Sequence, residues 1–383
     1  ARTPMGSFQG DFASLAAYEL GGAAIRAALK RSGVPGERVD EVLMGNCLMA
    51  GQGQAPARQA AFNAGLPISA GAVTLSKMCG SGMRAAMLAH DMLLAGSADV
   101  MVAGGMESMT NAPYLLPKAR GGYRIGHDRI FDHMMLDGLE DAYEPGRSMG
   151  TFGEDCAEKY GFTREQQDAF ATASVLRAQQ ATESGLFYAE ITPVAVNSRG
   201  GERLVSTDEG PGRVKLDKIS SLKPAFRKNG TVTAASSSSI NDGAAALVMM
   251  RESTARQLGS QPIARMVAHA VHAQEPEWFS TAPIGSVHKV LSKAGWTVGD
   301  VDLWEINEAF AVVPMALMHD LGLSHEIVNI HGGACALGHP IGASGARIMV
   351  TLLHALLARG LQKGVATLCI GGGEATAVAL ELV

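Results

Sequence analysis

The sequence predicts an α/β protein built from two similar halves, with an irregular segment inserted into the first half. Short apolar runs alternate with apolar helical stretches, which favours helices packed on largely parallel sheets. A small-residue turn, an apolar helix, a buried strand and glycines occur twice in the same order. Proline, glycine and charged residues cluster after Thr110, and regular patterning returns near Asn241.

The first half shows the alternation most clearly. Apolar positions at helical spacing predict one helix over 15–32 and a second, apolar on nearly every side, over 83–94. Strand-like runs cover 39–44, 73–78 and 99–103, and we expect Gly104-Gly105 to close the last of these. This order of elements is typical of stacked layers of helix and sheet.

The repeat defines the predicted domain organisation. Gly80-Ser81-Gly82-Met83-Arg84 opens one helix, and Ala343-Ser344-Gly345-Ala346-Arg347 opens another. Glycine and serine turns before helices are common, so coincidence is the alternative explanation. We predict a first half over 1–110 with a return segment over 240–262, an inserted loop domain over 111–239, and a second half over 263–383.

The inserted segment contains one strongly patterned element, an amphipathic helix over 164–184. Thr163 followed by Gln166 three residues later matches a capping box, in which each side chain satisfies a backbone N–H of the other. We therefore expect this helix to begin directly after Thr163.

Composition excludes several classes of protein. The 383 residues are 47% hydrophobic and 18% charged, with a formal net charge of −5, which excludes a disordered chain and predicts no nucleic-acid partner. We see no apolar run of about 18 residues and no signal pattern, so we expect no membrane association. The chain begins without Met, from which we expect trimming at its N-terminus.

The five cysteines predict a reducing, cytoplasmic location, because an odd and widely spaced set is a poor disulfide framework. No pair has Cys-x-x-Cys spacing, and no His, Cys, Asp or Glu cluster has metal-ligand spacing. The sequence accordingly predicts no metal site, and any cysteine chemistry is expected to be thiolate chemistry.

Two residues are candidates for nucleophilic catalysis. Cys79 lies between a predicted strand and a predicted helix, where the positive end of the helix dipole favours a thiolate. His339 lies between glycines and is followed by Pro340, a setting that fixes its backbone. A nucleophilic cysteine needs a base, so the two form a plausible pair. An inert buried cysteine and a structural histidine remain the alternatives.

Two further motifs follow predicted strands. Cys369 ends one strand and precedes Gly371 in a run of three glycines whose N–H groups could bind an oxyanion, although a plain tight turn fits equally well. Asn307 and Glu308 follow another strand, where they could orient a water or substrate carbonyl or cap the next helix.

Taken together, these motifs resemble the thiolase family, and the likeness covers essentially the whole chain. It is strongest to the branch that handles acetoacetyl-CoA. The stretches that carry the resemblance are Arg2-Thr3-Pro4, Cys79-Gly80-Ser81-Gly82, Gly104-Gly105-Met106-Glu107-Ser108-Met109, Asn241-Asp242-Gly243-Ala244, Asn307-Glu308-Ala309-Phe310, 332–347 and Cys369-Ile370-Gly371-Gly372-Gly373.

The resemblance implies a fold and a reaction. The fold is five layers, αβαβα, from two pseudo-equivalent halves with an inserted loop domain. The reaction is a ping-pong acetyl transfer between acetyl-CoA molecules to give acetoacetyl-CoA, and its reverse, through an acyl-cysteine. Coenzyme A is then substrate and product, no cofactor is needed, and a homodimer or homotetramer is expected.

The resemblance also assigns roles to single residues. Cys79 is implied as the acylated nucleophile, His339 as its activator and Cys369 as the second acid/base. Oxyanion holes are implied from His339 with a water held by Asn307, and from the N–H groups of Cys79 and Gly371. The residues expected to contact coenzyme A or substrate are Ser238, Met149, Arg213 and Lys218.

Departures from the pattern leave some expectations open. Ser148 stands where this branch usually has a histidine before Met-Gly, so a broader 3-ketoacyl-CoA thiolase is the main alternative. Pro211 and Cys335 replace residues of a potassium site, which we therefore do not predict. A non-catalytic acyl-CoA-binding protein is disfavoured by the presence of both Cys79 and Cys369. A decarboxylating ketosynthase is disfavoured because those enzymes do not use the second cysteine.

Overall fold

The computed structural model describes residues 1–198 and 201–383, and these form ten α-helices and thirteen strands. The helices are α1 (Ala17–Ser32), α2 (Pro56–Asn63), α3 (Ser81–Ala95), α4 (Met149–Tyr160), α5 (Arg164–Glu183), α6 (Glu252–Leu258), α7 (Ala282–Ala294), α8 (Val312–Leu321), α9 (Ala334–Leu337) and α10 (Ile341–Arg359). The strands are β1 (Gly6–Ser7), β2 (Glu41–Gly45), β3 (Gly71–Leu75), β4 (Val100–Ser108), β5 (Tyr114–Leu115), β6 (Phe131–Asp132), β7 (Val194–Ser198), β8 (Gly201–Val205), β9 (Asn241–Met250), β10 (Ala264–Ala273), β11 (Leu303–Ile306), β12 (Lys363–Ile370) and β13 (Glu374–Leu382).

The two main sheets have the same topology. The first has the order β1-β9-β4-β2-β3, with antiparallel pairing up to β4 and parallel pairing beyond it. The second has the order β10-β13-β12-β11, and its strands run in the matching directions. A single parallel bridge from Trp304 to Val328 stands where β3 lies in the first sheet. The predicted similarity of the two halves is thereby confirmed.

The helices lie in three layers around these sheets. α1 and α2 pack on the outer face of the first sheet, and α7 and α8 on the outer face of the second. α3 and α10 fill the space between the two sheets, where apolar side chains of both meet. The result is the five-layer αβαβα arrangement that the resemblance implies.

Close contact between α3 and α10 depends on two glycines in equivalent positions of the repeat. A Cβ on Gly82 would lie 2.8 Å from the backbone nitrogen of Ala346, and a Cβ on Gly345 would lie 2.5 Å from that of Met83. Real Cβ atoms do not come so near to backbone, so only glycine allows the two helix starts to meet. The symmetry of the two contacts matches a pseudo-twofold relation between the halves.

The sequence located the elements well and their ends less well. The capping box of Thr163 and Gln166 is present at the start of α5. The expectation that Gly104-Gly105 closes a strand is wrong, because β4 continues through both glycines to Ser108. Their role is close packing, since a Cβ on Gly105 would lie 2.0 Å from the carbonyl oxygen of Gly342.

Helix α10 is an exception to the expectation that no segment is long and apolar enough to span a membrane. Among the described residues it is the one helix long and apolar enough for that by length and composition. Most of it is buried between the two sheets, which is the usual position of a core helix in a layered fold.

Candidate active site

Cys79 lies in a tight turn between β3 and α3. Its neighbour Met78 has φ of +46°, a left-handed conformation that reverses the chain just before the cysteine. The hydroxyl of Ser81 holds this turn together: it accepts from the Lys77 backbone N–H at 2.8 Å and donates to the Met78 carbonyl at 2.7 Å. The cysteine is therefore fixed by backbone geometry and presented ahead of the first turn of α3.

The environment of Cys79 keeps it as a thiol at neutral pH. Burial raises its pKa to about 11, and hydrogen bonds from the backbone N–H groups of Gly371 and of Cys79 itself act in the opposite direction. Those N–H groups belong to the expected oxyanion hole, and they already point at the sulfur. A base must remove the proton before the sulfur can attack.

His339 is the residue that the sequence predicts to be that base. It is buried, in the loop between α9 and α10, and burial lowers its pKa to about 3, so the imidazole is neutral. Ser344 Oγ lies 2.6 Å from His339 Nδ1 and 3.0 Å from the Pro340 carbonyl oxygen. When the one hydroxyl proton goes to the carbonyl, Nδ1 carries a proton and donates to Oγ. The lone pair is then on Nε2, which has no hydrogen-bond partner in the described part of the chain.

Asn307 lies beside the histidine. Its backbone N–H continues the pairing of β11 with β12 by donating to the Thr367 carbonyl at 3.0 Å. Its side-chain amide is 3.5 Å from His339 Nδ1, and within the described ranges its Oδ1 has no hydrogen-bond partner. A buried amide with spare hydrogen-bonding capacity can bind a water or a substrate oxygen.

Cys369 and Gly371 approach from the second sheet. Cys369 is fully buried near the end of β12, and its pKa is raised well above the usual range, first by burial and then by the proximity of Cys79. Gly371 begins the three-glycine turn to β13, and the Met149 methyl group would be 3.5 Å from a Cβ at that position. The structure thus brings together Cys79, Cys369, Gly371 and Met149.

The other residues predicted to contact coenzyme A or substrate do not all lie beside the two cysteines. Ser238 is half-buried and its backbone N–H donates to the Ala309 carbonyl at 3.0 Å, two residues beyond Asn307. Arg213 and Lys218 are exposed, and each forms an ion pair with a neighbouring carboxylate, Arg213 with Glu209 and Lys218 with Asp217 at 3.2 Å. Neither basic side chain is brought to the cysteines.

Glu308 has neither of the roles considered for it. It is fully buried, and its carboxylate accepts from the Ser174 hydroxyl at 2.7 Å, the Asn329 amide at 2.8 Å and the Cys335 N–H at 3.0 Å. It connects α5 and the loop before α9 to the strand that ends beside Asn307. Its contribution is to hold the loops around the site.

Two positioning residues were missed by sequence reasoning. Ser344 contacts Nδ1 of His339 at 2.6 Å and so orients the imidazole. Glu107 lies in the middle of the site's scaffold, where its oxygens accept from the Asn46 amide and from the N–H groups of Cys47, Leu48 and Gly342, at 2.6 to 3.1 Å. Glu107 follows the strand predicted over 99–103, and a single acidic residue in this small and apolar stretch was the available signal.

This arrangement can perform acyl transfer. It offers a thiol nucleophile, a neutral imidazole with a free lone pair, backbone donors directed at the reacting sulfur and a second buried thiol. Cys79 and its backbone N–H come from the first half, and His339, Gly371 and Cys369 come from the second half, across the contact between α3 and α10.

Comparison with known proteins agrees with this chemistry. The model of the thiolase N-terminal domain matches residues 1–253, and that of the thiolase C-terminal domain matches residues 260–382. An acetyl-CoA acetyltransferase of Pseudomonas aeruginosa is 49% identical over 99% of this chain and 97% of that protein. Acetyl-CoA acetyltransferase 2 of Arabidopsis thaliana is 50% identical over 100% and 95%, respectively.

Solved structures match equally well. The acetyl-CoA acetyltransferase of Bacillus anthracis superposes with a TM-score of 0.97 at 41% identity, over 100% of this chain and 97% of that one. A thiolase of Ascaris suum, solved in complex with coenzyme A, gives 0.94 at 40% identity over 100% and 98%. With both family models matched along nearly its whole length, this chain belongs to the thiolase family of acyltransferases.

Proposed function

We propose that this thiolase is an acetyl-CoA acetyltransferase, which condenses two acetyl-CoA into acetoacetyl-CoA and CoA and catalyses the reverse thiolysis. The observation that carries the proposal is a half-buried Cys79 thiol that accepts from the Gly371 N–H and lies close to the Cys369 thiol. A buried, neutral His339 whose Nε2 has no partner among the described residues supports it. Near-complete alignment with acetyl-CoA acetyltransferases supports the choice of substrate.

The first half-reaction acylates Cys79. Its proton moves to Nε2 of His339, and the sulfur attacks the carbonyl carbon of acetyl-CoA. The carbonyl oxygen becomes an oxyanion, which the backbone N–H groups of Cys79 and Gly371 stabilise. The bond to the CoA sulfur then breaks, and Cys369 gives its proton to that sulfur. Free CoA leaves, with acetyl-Cys79, a Cys369 thiolate and an imidazolium remaining.

The second half-reaction forms the carbon–carbon bond. The Cys369 thiolate takes an α-proton from a second acetyl-CoA, and the enolate oxygen is stabilised by His339 and a water bound to Asn307. The enolate carbon attacks acetyl-Cys79, and the Cys79 sulfur leaves as a thiolate that recovers the proton from His339. Because burial raises the pKa of Cys369, its thiolate is a strong base once formed.

A thiolysis assay across 3-ketoacyl-CoA chain lengths tests the choice of substrate. We expect kcat/KM to be highest for acetoacetyl-CoA and to fall at least about tenfold for long chains, the size of discrimination that pocket contacts provide. Equal or higher values for long chains would establish the broader 3-ketoacyl-CoA thiolase, for which Ser148 is the sequence argument. No turnover of any chain length would leave an acyl-CoA-binding protein.

We also propose that the chain acts as a cytoplasmic homodimer or a tetramer of such dimers. β3 is an edge strand that pairs only with β2 among the described residues, and its Val73 is 42% exposed. An unpaired edge is a surface on which a second copy can add a strand. Light scattering on Val73→Lys, which we expect to be monomeric, tests this interface between copies.

The proposed cytoplasmic location is supported by the five cysteines, which are all free thiols, as suits a reducing compartment.

A further inference from the structure

A cluster of metal-binding side chains lies far from the active site, on the surface where α3 meets β10. His90 and Asp91 are on the last turns of α3, and His269 is on β10. One ligand atom of each lies within 4.8 Å of the other two. Since α3 belongs to the first half and β10 to the second, the cluster bridges the two halves of the fold.

The distances approach those of a tetrahedral metal centre. The Asp91 Oδ1 is 2.8 Å from His269 Nε2 and 3.6 Å from His90 Nδ1. Two ligand atoms at about 2.0–2.1 Å from a zinc ion in tetrahedral geometry are roughly 3.3 Å apart. A metal between these three atoms therefore needs side-chain adjustments of less than an ångström at the two Asp91 contacts.

The hydrogen bonding of the cluster is incomplete in a way that a cation would satisfy. The Nδ1 atom of His90 is buried and has no partner among the described residues, although a carboxylate oxygen is close by. Asp91 is half-exposed, which leaves room for a water as fourth ligand. Lys293, whose ammonium donates to the His269 carbonyl at 3.0 Å, is the nearby positive charge that opposes a cation, and Asp91 offsets it.

We propose that His90, Asp91 and His269 form a site for a borderline transition-metal dication, with Zn²⁺ as the best match to two imidazoles and one carboxylate. On binding, the proton that His269 Nε2 shares with Asp91 moves to Nδ1 of that ring or to solvent. The ion links the C-terminal turns of α3 to an edge strand of the second sheet. Its role is to stabilise the joint between the halves, and it takes no part in acyl transfer.

Equilibrium dialysis of the tag-free full chain against Zn²⁺ tests the site, with zinc measured by mass spectrometry. His90→Gln is the informative variant, since His90 Nδ1 makes no hydrogen bond that the substitution would break. We expect the wild type to bind one more zinc per chain than His90→Gln, or the same number with at least about tenfold higher affinity. Asp91→Asn should lose the same zinc.

A matched control separates this site from other zinc-binding groups, including the five thiols. His319 and Asp320 form a similar exposed pair at 3.0 Å, and the described residues provide no third ligand of this kind, so His319→Gln should retain the zinc. Zinc should raise the melting temperature of the wild type and of His319→Gln, but not that of His90→Gln. Equal zinc binding in wild type and His90→Gln, or loss of the zinc in His319→Gln, would overturn the proposal.

Discussion

The starts of α3 and α10 have the same sequence pattern, but their serines have different roles. Each has a serine followed by a glycine at the equivalent place in the repeat, and the two glycines pack against the opposite helix. In α3, Ser81 binds two backbone groups and fixes the turn that carries Cys79. In α10, Ser344 binds one backbone group and the side chain of His339. Ser81 thus supports the main chain of its turn, whereas Ser344 contacts the imidazole of His339.

This difference shows how a repeated scaffold becomes an asymmetric site. The topology and the helix contact are common to both halves, so they place two loop segments side by side without defining chemistry. In the proposed mechanism, the chemistry depends on the residues just before each helix, Cys79 in one half and His339 in the other. Replacing each of these residues in turn shows whether one half supplies the nucleophile and the other handles the protons.

Removal of the nucleophile should have the largest effect. Cys79→Ser replaces a thiol by a hydroxyl that His339 cannot activate for thioester exchange, and we expect turnover to fall about 10⁴-fold or more. Mass spectrometry after acetyl-CoA treatment should show a CoA-releasable acetyl group on Cys79 in the wild type and none in the variant. An acetyl group on Cys369 in the wild type, with Cys79 unmodified, would reverse the assigned duties.

Removal of the base should have the next largest effect. His339→Ala should slow acylation about 10²–10⁴-fold, the usual contribution of a general base. Burial raises the pKa of Cys79 to about 11, so without the imidazole its alkylation by iodoacetamide should require higher pH. The control is His331→Ala, another buried histidine, which should cost stability but leave the alkylation profile in place. An unshifted profile in His339→Ala would make His339 structural.

Removal of the second thiol should separate the two half-reactions. Cys369→Ala should still form acetyl-Cys79 but lose about 10²–10⁴-fold in exchange of the acetyl methyl hydrogens with deuterated water. A purely structural Cys369 would instead lower the melting temperature and leave exchange near normal. Measuring both on the same folded variant decides between them, and normal exchange would remove Cys369 from proton transfer.

Sequence alone predicted the repeat, the layers and the residues that we place in chemistry, because each of them has a local signal. Cys79 and Cys369 each precede a glycine-containing turn, and His339 lies between Gly338 and Gly342. Sequence did not identify Glu107, whose partners are distant in sequence, or Ser344, whose partner in the site is the side chain of His339. The metal-binding cluster has no local signal at all, since His269 follows Asp91 by 178 positions. Only the packing of α3 on β10 brings them together.

The smallest effects should come from the two serines, and they test the comparison directly. Ser81→Ala leaves the Lys77 N–H without its partner, so we expect a loss of about 1–3 kcal/mol in the free energy of unfolding. Ser344→Ala removes the group that holds the proton on Nδ1 of His339. The lost hydrogen bond, at about 1.4 kcal/mol, corresponds to roughly tenfold in rate.

The two variants should differ in kind as well as in size. Ser344→Ala should lower kcat and slow the alkylation of Cys79 at neutral pH with KM nearly unchanged, because it acts through the base. Ser81→Ala should lower the melting temperature more than it slows alkylation, because it acts through the turn. If both serines changed rate and stability in the same proportion, the duplicated residue would have one duty in both halves. The asymmetry of the site would then rest on Cys79 and His339 alone.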